Sequence, residues 1–216
     1  MRINRTICGC GSGRDTKYFI DQGYEVTAID GSKELCKRAS ELTGIEVNNM
    51  LFQDIEYVNE FDGVWACASL LHVPKTELLS VIKRITRALK DCGIFFVSFK
   101  YGEYEGERNG RFFTDLNEDS FVKIISEVPE LVIQEKSIAT DVRPGRDESW
   151  LNAILVKHEK QELKTRDELV EREQPERVEG ELVMDKAGKK YLRINSDTVN
   201  IADLRTVIMN IIEYIT

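Results

Sequence analysis

The stretch TICGCGSGRD, Thr6 to Asp15, sets glycines at positions 9, 11 and 13 near the start of a 216-residue chain. Glycine lets a backbone pass close to a ligand, and a helix that begins just beyond such a loop offers unpaired N–H groups to polar atoms. Its plainer reading is a tight turn. Roughly twenty residues on, Asp30 ends the segment EVTAID, where a carboxylate can accept hydrogen bonds from both hydroxyls of a ribose. The alternative is a helix cap ahead of Gly31 and Ser32. Asp54, in LFQDIE, closes a third apolar segment and stands where it could accept from the exocyclic amine of an adenine; taken alone it is a polar strand end. His72, in LLHVP, is the one candidate base, since an imidazole with an ordinary pKa near 6.5 accepts a proton at neutral pH. A surface or cap histidine ahead of Pro74 is the competing reading.

The glycine spacing narrows the ligand. A dinucleotide fingerprint wants a glycine or small residue where Arg14 or Thr16 stands, so the third glycine arrives too early for it. No Tyr-x-x-x-Lys pair for hydride chemistry accompanies it, which disfavours an NAD-dependent oxidoreductase. The cysteines are Cys8, Cys10, Cys36, Cys67 and Cys92, odd in number and scattered, as suits reduced thiols. Cys8 and Cys10 form the only close pair, and neither His72 nor His158 completes a tetrahedral set, so no metal site is expected.

These residues need a scaffold that brings strand ends together. Short apolar runs alternate with amphipathic segments from Ile7 to His158, the pattern of a βαβ sheet. Strands are expected at Glu25 to Asp30, Val47 to Asp54, Gly63 to Ser69 and Ile94 to Lys100. Helices are expected at Arg14 to Gln22, Ser32 to Leu42 and Lys75 to Lys90, the last with Leu78, Val81, Ile82, Ile85 and Leu89 on its core side. Tyr101 to Asp115 reads as a long polar loop, followed by a helix near Glu118 to Val128. Leu131 to Thr140 and Trp150 to Lys157 then form an antiparallel pair that closes a mostly parallel sheet. Arg108, Arg111, Phe112, Phe113 and Arg143 fall on loops above the expected crevice, where they could shape an acceptor site.

The composition shifts after residue 158. Residues 159–177 are a charged linker or exposed helix, and residues 178–216 a small ββα unit ending in an amphipathic helix from about Ile201 to Ile215. About 40 residues rarely support a core alone, so this unit is expected to dock on the first domain or pair two copies into a homodimer. Across the chain, 42% hydrophobic and 31% charged residues describe a globular protein, and the net charge of −8 argues against nonspecific nucleic-acid binding. No apolar run approaches the roughly 20 residues that span a bilayer, and MRINRT leads into no apolar signal region, so a cytoplasmic setting without membrane contact is expected.

Taken in order, GCGSGRD, AID, FQDIE, FDGVWACASLLHVP and LKDCGIFFVSF resemble the class I S-adenosylmethionine-dependent methyltransferases, in particular the small-molecule group that includes tellurite-resistance-type proteins. The resemblance runs from about Ile7 to Lys157 and implies a Rossmann-like methyltransferase sheet. It implies S-adenosylmethionine as cofactor and a small-molecule methyl acceptor as substrate. By it, Gly9, Cys10, Gly11 and Gly13 face the methionine and ribose parts of the cofactor, Asp30 with Gly31 and Ser32 holds the ribose, Asp54 and Ile55 frame the adenine, and Cys67 and Ala68 lie near the sulfonium. Ile7 stands where that family usually carries an acid, and about six residues precede the loop where the family places helices and a full first strand. The expectation is therefore an N-terminally shortened member with a weakened central strand. A binding or assembly module that has lost catalysis is the alternative function. The DPPY-type motif of DNA amino-methylating enzymes is absent where the chain reads ACAS, and no Pro-Cys pair points to cytosine C5 chemistry.

Overall fold

The computed structural model describes residues 4–141 and 148–158, together with three strands between positions 181 and 199. The chain divides into two compact units, Met1–Lys160 and Gln161–Thr216. In the first, β1 (Asn4–Cys8), α1 (Arg14–Asp21), β2 (Glu25–Asp30), α2 (Lys33–Thr43) and β3 (Val47–Asn49) alternate strictly. A 3-10 turn at Phe52–Asp54 leads to β4 (Phe61–Ala66), a second at Leu70–His72 to α3 (Lys75–Ala88), and β5 (Leu89–Lys100) follows. The unit is completed by β6 (Glu105–Arg108), β7 (Arg111–Thr114), α4 (Glu118–Ser126), β8 (Leu131–Thr140) and β9 (Ser149–Lys157).

Seven strands form one sheet in the order β3-β2-β1-β4-β5-β9-β8. The pairs among β3, β2, β1, β4 and β5 are parallel, whereas β9 runs antiparallel to both β5 and β8. The chain winds outward from β1 to β3, then resumes with β4 on the other side of β1. Such a reversal opens a crevice outside the carboxyl ends of the central strands. Of the residues the sequence analysis singled out for cofactor or acceptor chemistry in this unit, the glycine loop, Gly31, Ser32, Asp54, Ile55, Cys67, Ala68 and His72 lie in loops or turns, Asp30 ends β2, Arg108 belongs to β6, Arg111, Phe112 and Phe113 belong to β7, and Arg143 falls outside the described residues.

Alternation along the strands supplies two cores. Val64, Phe95, Val97 and Phe99 pack with Leu78, Val81, Ile82 and Ile85 of α3, as the helical stripe predicts. On the other face Trp65 stacks on Phe96 with centroids 4.0 Å apart, and Phe19 of α1 meets Trp65 edge-on at 5.5 Å. Each such large side chain, fully buried, contributes about 1.5–3 kcal/mol. The indole N–H of Trp65 is satisfied by Asp15 Oδ2 at 2.9 Å, which ties the start of α1 to the middle of the sheet.

Several expectations change. The central strand is not curtailed: β1 pairs with β2 at five positions and with β4 at three. The third strand stops at Asn49, because the chain then coils into the 3-10 turn closed by Asp54 N–H on Leu51 O. The fifth strand starts at Leu89 rather than Ile94, with a register shift opposite Phe61 and Gly63 that absorbs the residues between. The expected loop between Tyr101 and Asp115 contains the β6–β7 hairpin, turned at Asn109 and Gly110, whose φ values of 50° and 75° are those of a tight primed turn. In the second unit β10 (Glu181–Met184), β11 (Lys190–Ile194) and β12 (Asp197–Val199) form an antiparallel meander. The first two match the expected hairpin, the third was not expected, and the linker at 159–177 and the helix at 201–215 lie outside the described residues.

The hairpin is anchored by a buried bond, Thr114 Oγ1 donating to Val73 O at 2.8 Å. Thr114→Val keeps the shape and orphans that carbonyl, so unfolding in urea should show a loss of about 1–3 kcal/mol. Hydrogen exchange should rise first at the β6 and β7 amides. An unchanged midpoint would show that the hairpin is held by other contacts.

Candidate active site

Asp30 organises the crevice. One carboxylate oxygen, Oδ2, accepts the Gly11 N–H at 2.8 Å, and the other accepts the Ser32 N–H at 2.8 Å. The residue is only 9% exposed. Each carboxylate oxygen retains a lone pair beyond these bonds, so the group can still accept two hydroxyls from one side. The cap reading of Asp30 gives way: the hydroxyl of Ser32 caps α2, accepting from Leu35 N at 3.3 Å. Beside it, the amides of Gly9 and Cys10 both reach Ile29 O at 3.0 Å, so the loop is laced to β2 at two successive residues.

The three glycines serve different ends. A Cβ on Gly9 would fall 2.4 Å from Ser69 Cβ, and one on Gly13 3.0 Å from Ala39 of α2. Both positions are constrained by the protein's own packing. Gly11 has nothing within 4 Å of where its Cβ would stand and takes φ +56°. It alone combines a conformation that disfavours side chains with an open side for a ligand.

Further along the edge, Ala68 has φ 47°, and its N–H donates to Ser98 Oγ at 2.8 Å. Ser98 in turn donates to Cys67 Sγ at 3.7 Å. Burial raises the Cys67 thiol to about 12, with Asp15 adding to the shift. Burial likewise raises Cys10 to about 12, with Asp30 second. Neither is a thiolate at neutral pH, so both act as small packing groups and not as nucleophiles. Asp54 is exposed, whereas the side chain of Ile55 belongs to the core at 2% exposure and its carbonyl accepts from Arg84. The side chain of Ile55 is therefore taken up by the core. Gly31 packs against Leu51, with Cδ2 3.0 Å from its would-be Cβ.

His72 sits in the turn after β4. Its Nδ1 lies 2.7 Å from Phe112 O, and its ring meets Phe113 edge-on with centroids 4.8 Å apart. The structure thus brings His72, Phe112 and Phe113 together. Arg108 makes a two-pronged pair with Asp115, at 3.1 and 2.7 Å, and lies over the Tyr104 ring at 3.9 Å. Its role is to brace the hairpin. Arg111 is exposed. Lys100, which sequence reasoning missed, pairs with Glu148 and lies 5.4 Å from the Phe113 centroid. The only sequence signal for Lys100 was its place at a strand end. A groove of about 720 Å³ lined by Asn59, Lys83, Arg87, Glu130 and Lys157 lies at the opposite end of the sheet, so width does not mark the site.

Residues 7–93 match the family model described as a methyltransferase domain. That match spans the glycine loop, Asp30, Asp54 and His72, and over this stretch the chain is similar to methyltransferase domains. An uncharacterised methyltransferase of Staphylococcus carnosus is 26% identical over 155 residues, covering 68% of this chain and 75% of that protein. Among solved structures, a Methanosarcina mazei S-adenosylmethionine-dependent methyltransferase superposes with a TM-score of 0.64 at 18% identity, over 73% of this chain and 93% of the other. The 1,6-didemethyltoxoflavin-N1-methyltransferase of Burkholderia thailandensis does so with 0.62 at 21% identity, over 73% and 72%. At these identities the structural likeness concerns the fold. Within the matched residues, the loop between β1 and α1 and the end of β2 occupy the crevice at the strand-order reversal.

Two outcomes follow for this site. Gly9→Ala must displace Ser69 and should cost at least about 1–3 kcal/mol in thermal or urea unfolding, while Gly11→Ala should cost about 1 kcal/mol. A Gly9→Ala protein as stable as the parent would remove the packing argument. Cys10 and Cys67 are raised from 9.0 to about 12 on folding, so they stabilise the folded state up to about pH 9 and that contribution fades as pH rises toward 12. Iodoacetamide at pH 8, read by mass spectrometry, should therefore label exposed Cys92 and spare Cys10 and Cys67.

Proposed function

We propose that this domain transfers a methyl group from S-adenosylmethionine to a small-molecule acceptor, with Asp30 and Gly11 as the centre of the cofactor site. The observation that carries the proposal is the Gly11 N–H to Asp30 bond, which joins the glycine loop to the acidic strand end in one cradle. The open side at Gly11 and the spare lone pairs of Asp30 suit a ribose, and exposed Asp54 is free to accept an amine at the next strand end. The bound donor supplies an already activated methyl on a sulfonium, so the protein's task is alignment and exclusion of water. Ala68, held by Ser98, sets the rim between donor and acceptor. The β6–β7 hairpin walls the acceptor side, pinned by Thr114 and by Glu105, which accepts the Lys75 N–H at 2.8 Å.

A small acceptor is favoured by this short wall and by the Burkholderia relative, whose name specifies a small heterocyclic substrate. The tellurite-resistance-type group is the subfamily we assign. Four free thiols among the described residues, Cys10, Cys36, Cys67 and Cys92, suit a reducing cytoplasm.

Calorimetric titration with S-adenosylmethionine and with S-adenosylhomocysteine tests the reading. Both should bind, and Asp30→Ala should weaken them more than about tenfold through loss of charge-assisted hydrogen bonds. Asp30→Asn keeps one acceptor oxygen and should fall between. No binding heat in the parent protein would refute the reading.

A further inference from the structure

The contact at His72 fixes which of its ring nitrogens carries a proton. A backbone carbonyl can only accept a hydrogen bond, so the ring nitrogen 2.7 Å from Phe112 O must carry a proton. That nitrogen is Nδ1. In the neutral ring the lone pair then resides on Nε2, which has no hydrogen-bond partner among the described residues. Free histidine prefers the opposite arrangement, so the carbonyl selects a minority tautomer. The selection is built into the fold. His72 lies on the turn from β4 to α3, and the carbonyl belongs to a hairpin inserted after β5, forty residues later. That hairpin is tied to the same turn through Thr114 and Val73 and to the start of α3 through Glu105 and Lys75. Phe113 buttresses the ring edge. The Phe113 ring is itself flanked by Lys100 at 5.4 Å and Arg108 at 5.7 Å, so it serves the chain's own cations and not a stacked substrate.

We infer that the acceptor bears an O–H or N–H proton it must lose on methylation, that Nε2 of His72 takes that proton, and that the β6–β7 hairpin positions His72 through the Phe112 carbonyl. The inference rests on the methyltransferase reading above. In the step, the O–H or N–H bond breaks and its proton passes to Nε2. The electron pair left on the acceptor forms the new bond to the methyl carbon, and the pair of the carbon–sulfur bond stays with the departing thioether. His72 is the catalytic residue, and Phe112 and Thr114 are positioning residues. The charged groups on the nearby parts of the elements around the ring are Lys100 of β5, Glu105, Glu107 and Arg108 of β6, Arg111 of β7, Lys75 and Glu77 of α3, and Asp115 after β7, with Glu107 paired opposite Phe112. Of these, Glu105, Arg108, Lys100 and Asp115 are already bonded to other groups.

Two measurements decide it. Long-range proton–nitrogen correlation spectra of protein carrying nitrogen-15 histidine, assigned with His72→Gln, should show a protonated Nδ1 and a bare Nε2 for His72 at pH 8, with His158 as internal control. Thr114→Val should move His72 toward the Nε2–H form, which a purely structural role would not do. An Nε2–H tautomer in the parent protein overturns the inference whatever the cofactor result. The second measurement uses methyl-labelled S-adenosylmethionine with phenol, catechol, imidazole and benzylamine, and with dimethyl sulfide as the probe that has no proton to lose. Transfer to a proton-bearing probe is expected, and His72→Gln should lower kcat by about 10²-fold or more with the donor's Kd unchanged. Transfer only to dimethyl sulfide, transfer to none of them while the donor binds, or an unchanged kcat in His72→Gln overturns it. Absence of donor binding would instead count against the proposed function.

Discussion

The site depends on the pair of backbone hydrogen bonds to Asp30. A carboxylate at the end of β2 holds the N–H of Gly11 from one loop and that of Ser32 from the next. Hydrogen bonds to an ionised acceptor are about twice as strong as neutral ones, and this carboxylate is nearly out of water. The loop after β1 is thereby fixed by the same group that is left to meet a ligand. Because the loop is also laced to Ile29 O, its path is set by β2 before any ligand arrives, which is the preorganisation an alignment-based catalyst requires.

Around that pair the glycine loop divides its labour. Gly9 lets the loop touch Ser69 beyond β4, and Gly13 lets α1 approach α2 at Ala39. Those contacts bring the ends of β1, β2 and β4 close together. Gly11, between them, carries the open side. A loop of this kind couples stability to binding, since two of its three glycines hold the strand ends that form the crevice.

The β6–β7 hairpin is built on different terms. It lies outside the main sheet, fastened by Thr114, by Glu105 and by the Arg108–Asp115 pair. A hairpin alone is marginal in water, so these fastenings decide whether it stands at all. Through Phe112 it reaches back to His72 and sets which imidazole nitrogen holds the proton. Structure far along the chain thus tunes a residue whose own neighbourhood in sequence says little about it.

Much of this was legible in the chain alone. Alternating apolar runs gave the parallel sheet and its antiparallel ending, the α3 stripe gave the core, and glycines followed by acids at successive strand ends pointed to the crevice. Those features are local: they follow from periodicity, from turn chemistry and from the places where strands stop. The Asn109-Gly110 turn was an equally local signal for the β6–β7 hairpin, obscured by the polarity around it. What only the tertiary structure decided was which partner each group meets. That Gly9 opposes Ser69, that Asp30 binds Gly11 while Ser32 takes the cap, that Ile55 turns into the core, and that His72 gives its Nδ1 proton to Phe112 all join residues distant in sequence or choose among neighbours. Their pairing is set by strand order and helix packing, and no spacing along the chain encodes it.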